Sequence, residues 1–391
     1  MKSWSNVVLL TTSLGLSALL GEALVRSYFG DQIVLFPRYH EEATYGEFTI
    51  RRLKPQTTFW HTSVDGSWQF TVNSQGFRDT RDYSYDRDGT ALRVIALGDS
   101  HTQGFEVRQG RTYAAVIEKY LEVRGLEAEV INAGVSGFGT AEEAVFLEHE
   151  ALKYDPDVVV LGFYANDFED NVKSDLFRLK NDELRVHRRM HVPGTAVLKL
   201  LNSVSPLRWL SENSYLYSLV MNTVWDMARS ALLSRKRKQM ATELAVATGE
   251  ADDYEKRLTA RLIQRIYRLS KDHGADFILL DVPQQGGPGD FRSSIPIDLL
   301  KEFERNSDAL IWSEEVLSPY RHLAEFHAPH GQQHISELSH MLLGVAVARR
   351  IERVASPHEV ADGRDSPPKW PSKALDRAHA HGDHSTLEPL C

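Results

Sequence analysis

The chain has 391 residues, 42% of them hydrophobic and 25% charged, a balance that allows a large buried core. Its formal net charge of -9 offers no basic face to neutralise phosphates, so nucleic acid is excluded as the expected partner. The only cysteine is Cys391, which rules out an intrachain disulfide and a thiolate zinc site.

The N-terminus carries the first strong signal. Lys2 is followed by the apolar run Val7 to Leu20, and no charge occurs between Lys2 and Glu22. Ser5 to Val25 supplies about 20 residues, the length of a membrane span. No A-x-A cleavage site follows. Residues 1–26 are therefore read as a signal-anchor or signal peptide that brings the chain to the cell envelope, membrane-anchored or secreted, with a buried N-terminal helix as the alternative. Residues 27–90, with Trp60, Trp68 and the turn Asn73-Ser74-Gln75-Gly76, read as a β-rich lead-in.

From there the pattern alternates. Arg93 to Ser100 is an apolar run ending in a turn, as in a buried strand. Thr112 to Glu122 has helical spacing, Ala128 to Val135 is a second strand and Ala141 to Tyr154 a helix. Asp157 to Phe163 is a third strand. Such β-α-β-α-β order predicts right-handed crossovers and a parallel sheet covered by helices on both faces. The region from about 187 to 249 shows no clear strand. Its long helix, Tyr215 to Arg237, ends in Arg235-Lys236-Arg237-Lys238, either a dipole-favoured helix end or a contact for lipid headgroups. We read it as a helical insertion forming a lid or substrate wall. Regular structure resumes with a helix over 252–273, a strand over 275–283, a fifth strand near 308–314 and a final helix over 334–353. Residues 356–391 read as a disordered tail, whose His379, His381 and His384 read as solvated and not as a metal site.

Three strand ends carry residue types that acyl transfer needs. Ser100 closes the first strand in Gly98-Asp99-Ser100, where a hydroxyl can meet a substrate carbonyl. Asn132-Ala133-Gly134-Val135-Ser136-Gly137 closes the second, where glycine lets a backbone N–H approach a ligand. Asn166 closes the third, where a side-chain amide can donate to an oxyanion. His334 follows late in the chain and can serve as a base. Singly, each is equally explained as a turn or cap; together they converge on one sheet edge.

The order Gly-Asp-Ser, Asn-x-Gly-x-x-Gly, Gly-x-x-x-Asn-Asp and His resembles the SGNH (GDSL-type) hydrolases, including membrane-tethered bacterial members. The resemblance is close over 90–170 and looser over 330–350. It implies a flavodoxin-like three-layer α/β/α sandwich spanning 91–355, with Ser100 as nucleophile and His334 as base. The amides of Ser100 and Gly137 and the side chain of Asn166 would form the oxyanion hole. It also implies a small-molecule or glycan ester substrate and no cofactor or metal. One departure stands out: the family places an aspartate three residues before the histidine, and here that residue is Gly331. A backbone carbonyl orienting the ring, a distant acid such as Asp281 or Asp290, or weakened catalysis would each account for it. An O-acyltransferase and a silent carbohydrate-binding or assembly protein are the competing readings. No G-x-S-x-G elbow and no phosphate-binding loop occurs.

Overall fold

The computed structural model describes residues 2–355 except 36, 38, 88–90 and 244–250. The tail and its histidines lie outside the described residues. Helix α1 (Lys2–Phe29) comes first. Two antiparallel hairpins follow, His40–Tyr45 with Phe48–Leu53 and Thr57–Ser63 with Gly66–Val72. The α/β unit then runs β1 (Leu92–Gly98), α2 (Tyr113–Val123), β2 (Ala128–Asn132), α3 (Thr140–His149), β3 (Val158–Phe163) and α4 (Asp167–Ser174). After the insertion, with its long helix α5 (Tyr215–Glu243), come α6 (Ala251–His273), β4 (Asp276–Asp281), β5 (Ala309–Ile311) and α7 (Glu337–Ala355).

The five strands form one parallel sheet in the order β5-β4-β3-β1-β2. Their continuous apolar runs follow from burial on both faces. In β3 every residue from Val158 to Phe163 is buried. Ile95, Ile131, Val159 and Leu161 face a core shared with α3 and α6. Val94, Val130 and Val160 face a second core shared with α2 and α7. Each fully enclosed Val, Leu or Ile contributes about 1.5–3 kcal/mol of apolar burial, so these two cores fix the strand order. The result is the three-layer α/β/α sandwich expected from sequence. Because β2 and β3 flank β1 on opposite sides, the chain reverses direction of travel at β1. The crevice for ligands opens at that switch point, past the strands' carboxyl ends.

Elsewhere the structure adds detail or differs. The region read as strand-free holds the short strand Met190–His191, which extends the first lead-in hairpin by pairing with Thr49 and Ile50. Two short helices, Thr195–Ser203 and Ser205–Asn213, precede α5. The basic cluster near the end of α5 turns partly inward. Lys236 is buried and donates to Asp175 at 2.6 Å, and Arg237 pairs with Glu255 at 2.8 Å. These two cations are spent on packing, which removes them from any headgroup contact. His334 lies three residues ahead of α7, in a loop and not on the helix itself.

Helix α1 is long and apolar enough to cross a membrane, and its most apolar stretch is wholly exposed. Its last turns dock on the insertion. Glu22 accepts from Ser214 Oγ at 2.7 Å and from the Tyr215 and Leu216 amides at 3.1 and 2.9 Å, satisfying donors at the start of α5. Arg26 lies over the Tyr215 ring at 4.5 Å.

Candidate active site

The four residues singled out from sequence, Ser100, Gly137, Asn166 and His334, line one cavity of about 420 Å³. A larger cleft of about 660 Å³ beside α2 and Arg78–Arg81 contains none of them.

Ser100 opens a single helical turn directly after β1. Asp99 caps that turn, accepting from the His101 amide at 2.8 Å. The turn is sharp because Gly98 has φ 152°, and a Cβ there would fall 1.9 Å from Thr102 Oγ1. His334 Nε2 lies 2.7 Å from Ser100 Oγ. Its other nitrogen, Nδ1, lies 2.7 Å from the Gly331 carbonyl oxygen. A carbonyl can only accept, so Nδ1 carries the proton and Nε2 is left as the acceptor facing the hydroxyl. Gln332 and Gln333 both have positive φ, 52° and 71°, and this tight turn brings the Gly331 carbonyl back under the ring.

A backbone carbonyl therefore orients the histidine. The two distant acids are engaged elsewhere: Asp281 with Ser293 Oγ at 2.7 Å and the Ser294 amide at 2.9 Å, Asp290 with Arg321 at 2.6 Å. The His334 ring is packed between His101, centroids 4.6 Å apart, and Phe105, 4.4 Å. Burial pushes its pKa down to about 4, against a rise from the Gly331 hydrogen bond. The imidazole is neutral at pH 7 and able to accept a proton.

The loop after β2 is held by two side chains that sequence reading did not single out. Gln103 Oε1 accepts from the Ser136 amide at 2.6 Å and its hydroxyl at 2.7 Å. Arg51, buried in the first lead-in hairpin, donates to the carbonyls of Ser136 at 3.0 Å and Gly137 at 2.9 Å. The two hydrogen bonds fix the Ser136–Gly137 peptide at the edge of the cavity that Arg51 and Gly137 both line. Gly137 has φ 76°, and a Cβ there would meet Arg51 Nη2 at 2.4 Å. Asn166 caps α4 in position, and its Nδ2 donates to Asp99 Oδ2 at 3.0 Å, leaving the second amide hydrogen for a ligand.

Behind the serine lies a group of buried acids. Burial raises Asp99 to about 6 and Glu142 to about 8, and lifts Glu143 and Asp167 well above the carboxylate range. The cavity's outer wall is the insertion: Val197, Leu198, Val224, Trp225 and Leu232, with Arg229 beside Asp170. No cluster of His, Cys, Asp or Glu able to hold a metal occurs among the described residues.

The model of the GDSL-like lipase/acylhydrolase family matches residues 96–298, just over half the chain. The chain belongs to this family. It is an ester-bond hydrolase of the SGNH type. Solved structures similar to it include a lipase/acylhydrolase from Enterococcus faecalis, 17% identical, TM-score 0.35, covering 67% of this chain and 95% of that one. An acetylxylan esterase from Geobacillus stearothermophilus is 13% identical, TM-score 0.38, covering 67% and 95%. A two-domain esterase active on acetylated mannans is 14% identical, TM-score 0.36, covering 72% and 52%. No curated protein matches the chain.

Proposed function

We propose that this hydrolase works through an acyl-enzyme, with Ser100 as nucleophile and His334 as general base. The observation that carries the reading is the 2.7 Å contact of Ser100 Oγ with the acceptor nitrogen of His334, inside the cavity that Gly137 and Asn166 also line. Ser100 Oγ attacks the ester carbonyl as its proton passes to Nε2. The amides of Ser100 and Gly137 and the Asn166 side chain donate to the oxyanion. His334 returns the proton to the leaving alcohol, then takes one from water to release the acid.

The substrate class we propose is an O-acyl group on envelope carbohydrate or lipid. Two features support it: α1, long and apolar enough to cross a membrane, and the apolar wall beside Val224 and Trp225, suited to an acyl chain. Acyl transfer to a sugar hydroxyl is the second reading: it requires water to be kept from the acyl-enzyme, and this wall is the segment placed to do so.

The test is hydrolysis of p-nitrophenyl acetate by the full chain in detergent beside Ser100→Ala. Loss of about 10⁴-fold or more in kcat is expected. Equal rates would sink the reading, and product formation only with an added sugar acceptor would select the transferase.

A further inference from the structure

Where the family pattern has its aspartate, the space for a side chain is already taken. A Cβ on Gly331 would fall 2.6 Å from Cβ of Ala328, 2.8 Å from Cγ of Glu106 and 3.2 Å from its Cβ. Glu106 is buried, and its φ of 63° is a backbone state that glutamate seldom adopts. It comes from the loop just past the nucleophile turn, yet the lead-in holds its carboxylate. His61 Nε2 lies 3.1 Å from one oxygen, with both side chains fully enclosed. Ser63 Oγ donates to the other at 3.1 Å.

The same hairpin clamps the histidine loop. The His61 ring stacks on Trp68 at 4.9 Å and meets Phe105 edge-on at 5.1 Å; Phe105 in turn packs on His334. Asp65 at the hairpin tip accepts from the His330 amide at 3.2 Å and pairs with its ring at 3.1 Å. Glu106 thus sits behind the peptide whose carbonyl orients His334.

A base that accepts a proton in a buried site needs a negative charge nearby, because burial alone penalises the imidazolium. We propose that Glu106, held by His61, is the positioning acid of this site: it stabilises the charge His334 gains from Ser100, in place of the family's aspartate. The proposal rests on the serine–histidine reading above. Glu106 acts across space and through the Gly331 peptide, not by touching the ring.

The other ionisable groups packed around His334 do not fill this role. His61 and His327 oppose its protonation, the charge of His61 being faced by Glu106 itself. His101, His327 and His340 are all pushed down by burial, and His327 and His340 bond backbone groups at Pro283 and Tyr113. Asp99 is engaged with the His101 amide and Asn166 behind the serine. Arg108 and Glu337 neutralise each other, and Arg78 donates to the carbonyls of Gln103 and Val107.

The experiment measures kcat, KM and their pH dependence for Glu106→Gln, which keeps the shape and removes the charge. We expect kcat to fall about 10–100-fold with KM nearly unchanged, since the lost interaction exists only once the proton has moved. The acid limb of kcat/KM should move to lower pH, because removing a negative neighbour makes His334 harder to protonate. A structural role alone would leave the limb in place, so an unmoved limb overturns the proposal whatever the rate. The second variant restores the charge: Glu106→Asp should return the acid limb towards that of the parent and recover at least about threefold in kcat over Glu106→Gln. Failure to exceed Glu106→Gln also overturns it. Ser100→Ala separates the two readings. If that variant is dead while Glu106→Gln is unaffected, only the role of Glu106 falls; if it stays active, the serine–histidine reading falls too.

Discussion

The two sides of the pocket are built in different ways. On the sheet side, Ser100, Gly137 and Asn166 each follow a strand of one parallel sheet, and strand order alone brings them together. On the opposite side, Arg51 and α5 come from a hairpin lead-in and an insertion, with His61 and Glu106 buried behind the histidine loop, and only long-range packing places them. The sheet side supplies the groups proposed to meet the reacting atoms. The other elements hold them: Arg51 bonds the Ser136 and Gly137 carbonyls, Glu106 backs the histidine loop, and Trp225 lines the cavity. A fold that delegates chemistry to strand ends and aiming to appended segments can change its substrate without moving its nucleophile.

The comparison predicts a hierarchy of effects. The sheet side should be hit hardest. Asn166→Ala removes a donor to the oxyanion and should lower kcat by about 10²–10³-fold. Steady-state kinetics with p-nitrophenyl acetate check it, and a loss confined to KM would show that Asn166 binds substrate without favouring the transition state.

The aiming side should respond less. Arg51→Ala removes both hydrogen bonds that hold the Ser136 and Gly137 carbonyls. Gln103 still holds Ser136 from the other direction, so the loop is loosened and not lost. The expected loss in kcat is about 10–100-fold, the scale of a displacement near 1 Å at a reacting centre. A loss equal to that of Asn166→Ala would mean that the two sides are one unit.

The same division governs what the sequence reveals. Strands β1 to β4 were legible because burial leaves unbroken apolar runs, whereas the half-buried edge strand β5 left a weaker one. Ser100, Gly137 and Asn166 stood out because each follows a strand with a residue of distinctive chemistry, and His334 because the family pattern has a histidine late in the chain; the structure brings all four to one cavity. Arg51, Gln103 and Glu106 left no such trace. Each is a single polar residue in an irregular or lightly patterned segment, and its role exists only where distant parts of the chain meet. Gly331 was visible as a departure but not as a consequence, since nothing in the sequence places Glu106 against it. The acids of α3 are a similar case. Glu142 and Glu143 stand in the first turn of the helix, where carboxylates are common, and their burial follows from helix packing that no local pattern encodes. The basic run 235–238 misled for the same reason, since Asp175 and Glu255, which pair with Lys236 and Arg237, are remote in sequence.

The smallest expected effect lies at the insertion. Trp225 packs against Gly194, where a Cβ would come within 2.4 Å of the indole, so the ring is fixed by the turn that opens the preceding helices. With Val224 and Leu232 it lines the pocket across from Ser100. Apolar pocket contacts of this kind discriminate substrates by about 1–3 kcal/mol per group, which is 10–200-fold at most and usually near the lower figure. Trp225→Ala should therefore raise KM for a long-chain p-nitrophenyl ester about tenfold, with a smaller change for acetate, because an acetyl group ends before reaching the wall. The ratio of kcat/KM for octanoate and acetate reads this directly. A fall in that ratio makes the insertion a determinant of acyl size. An equal drop for both esters would instead place Trp225 with Arg51 among the residues that aim the site, and the division between chemistry and recognition would have to be drawn farther out along α5.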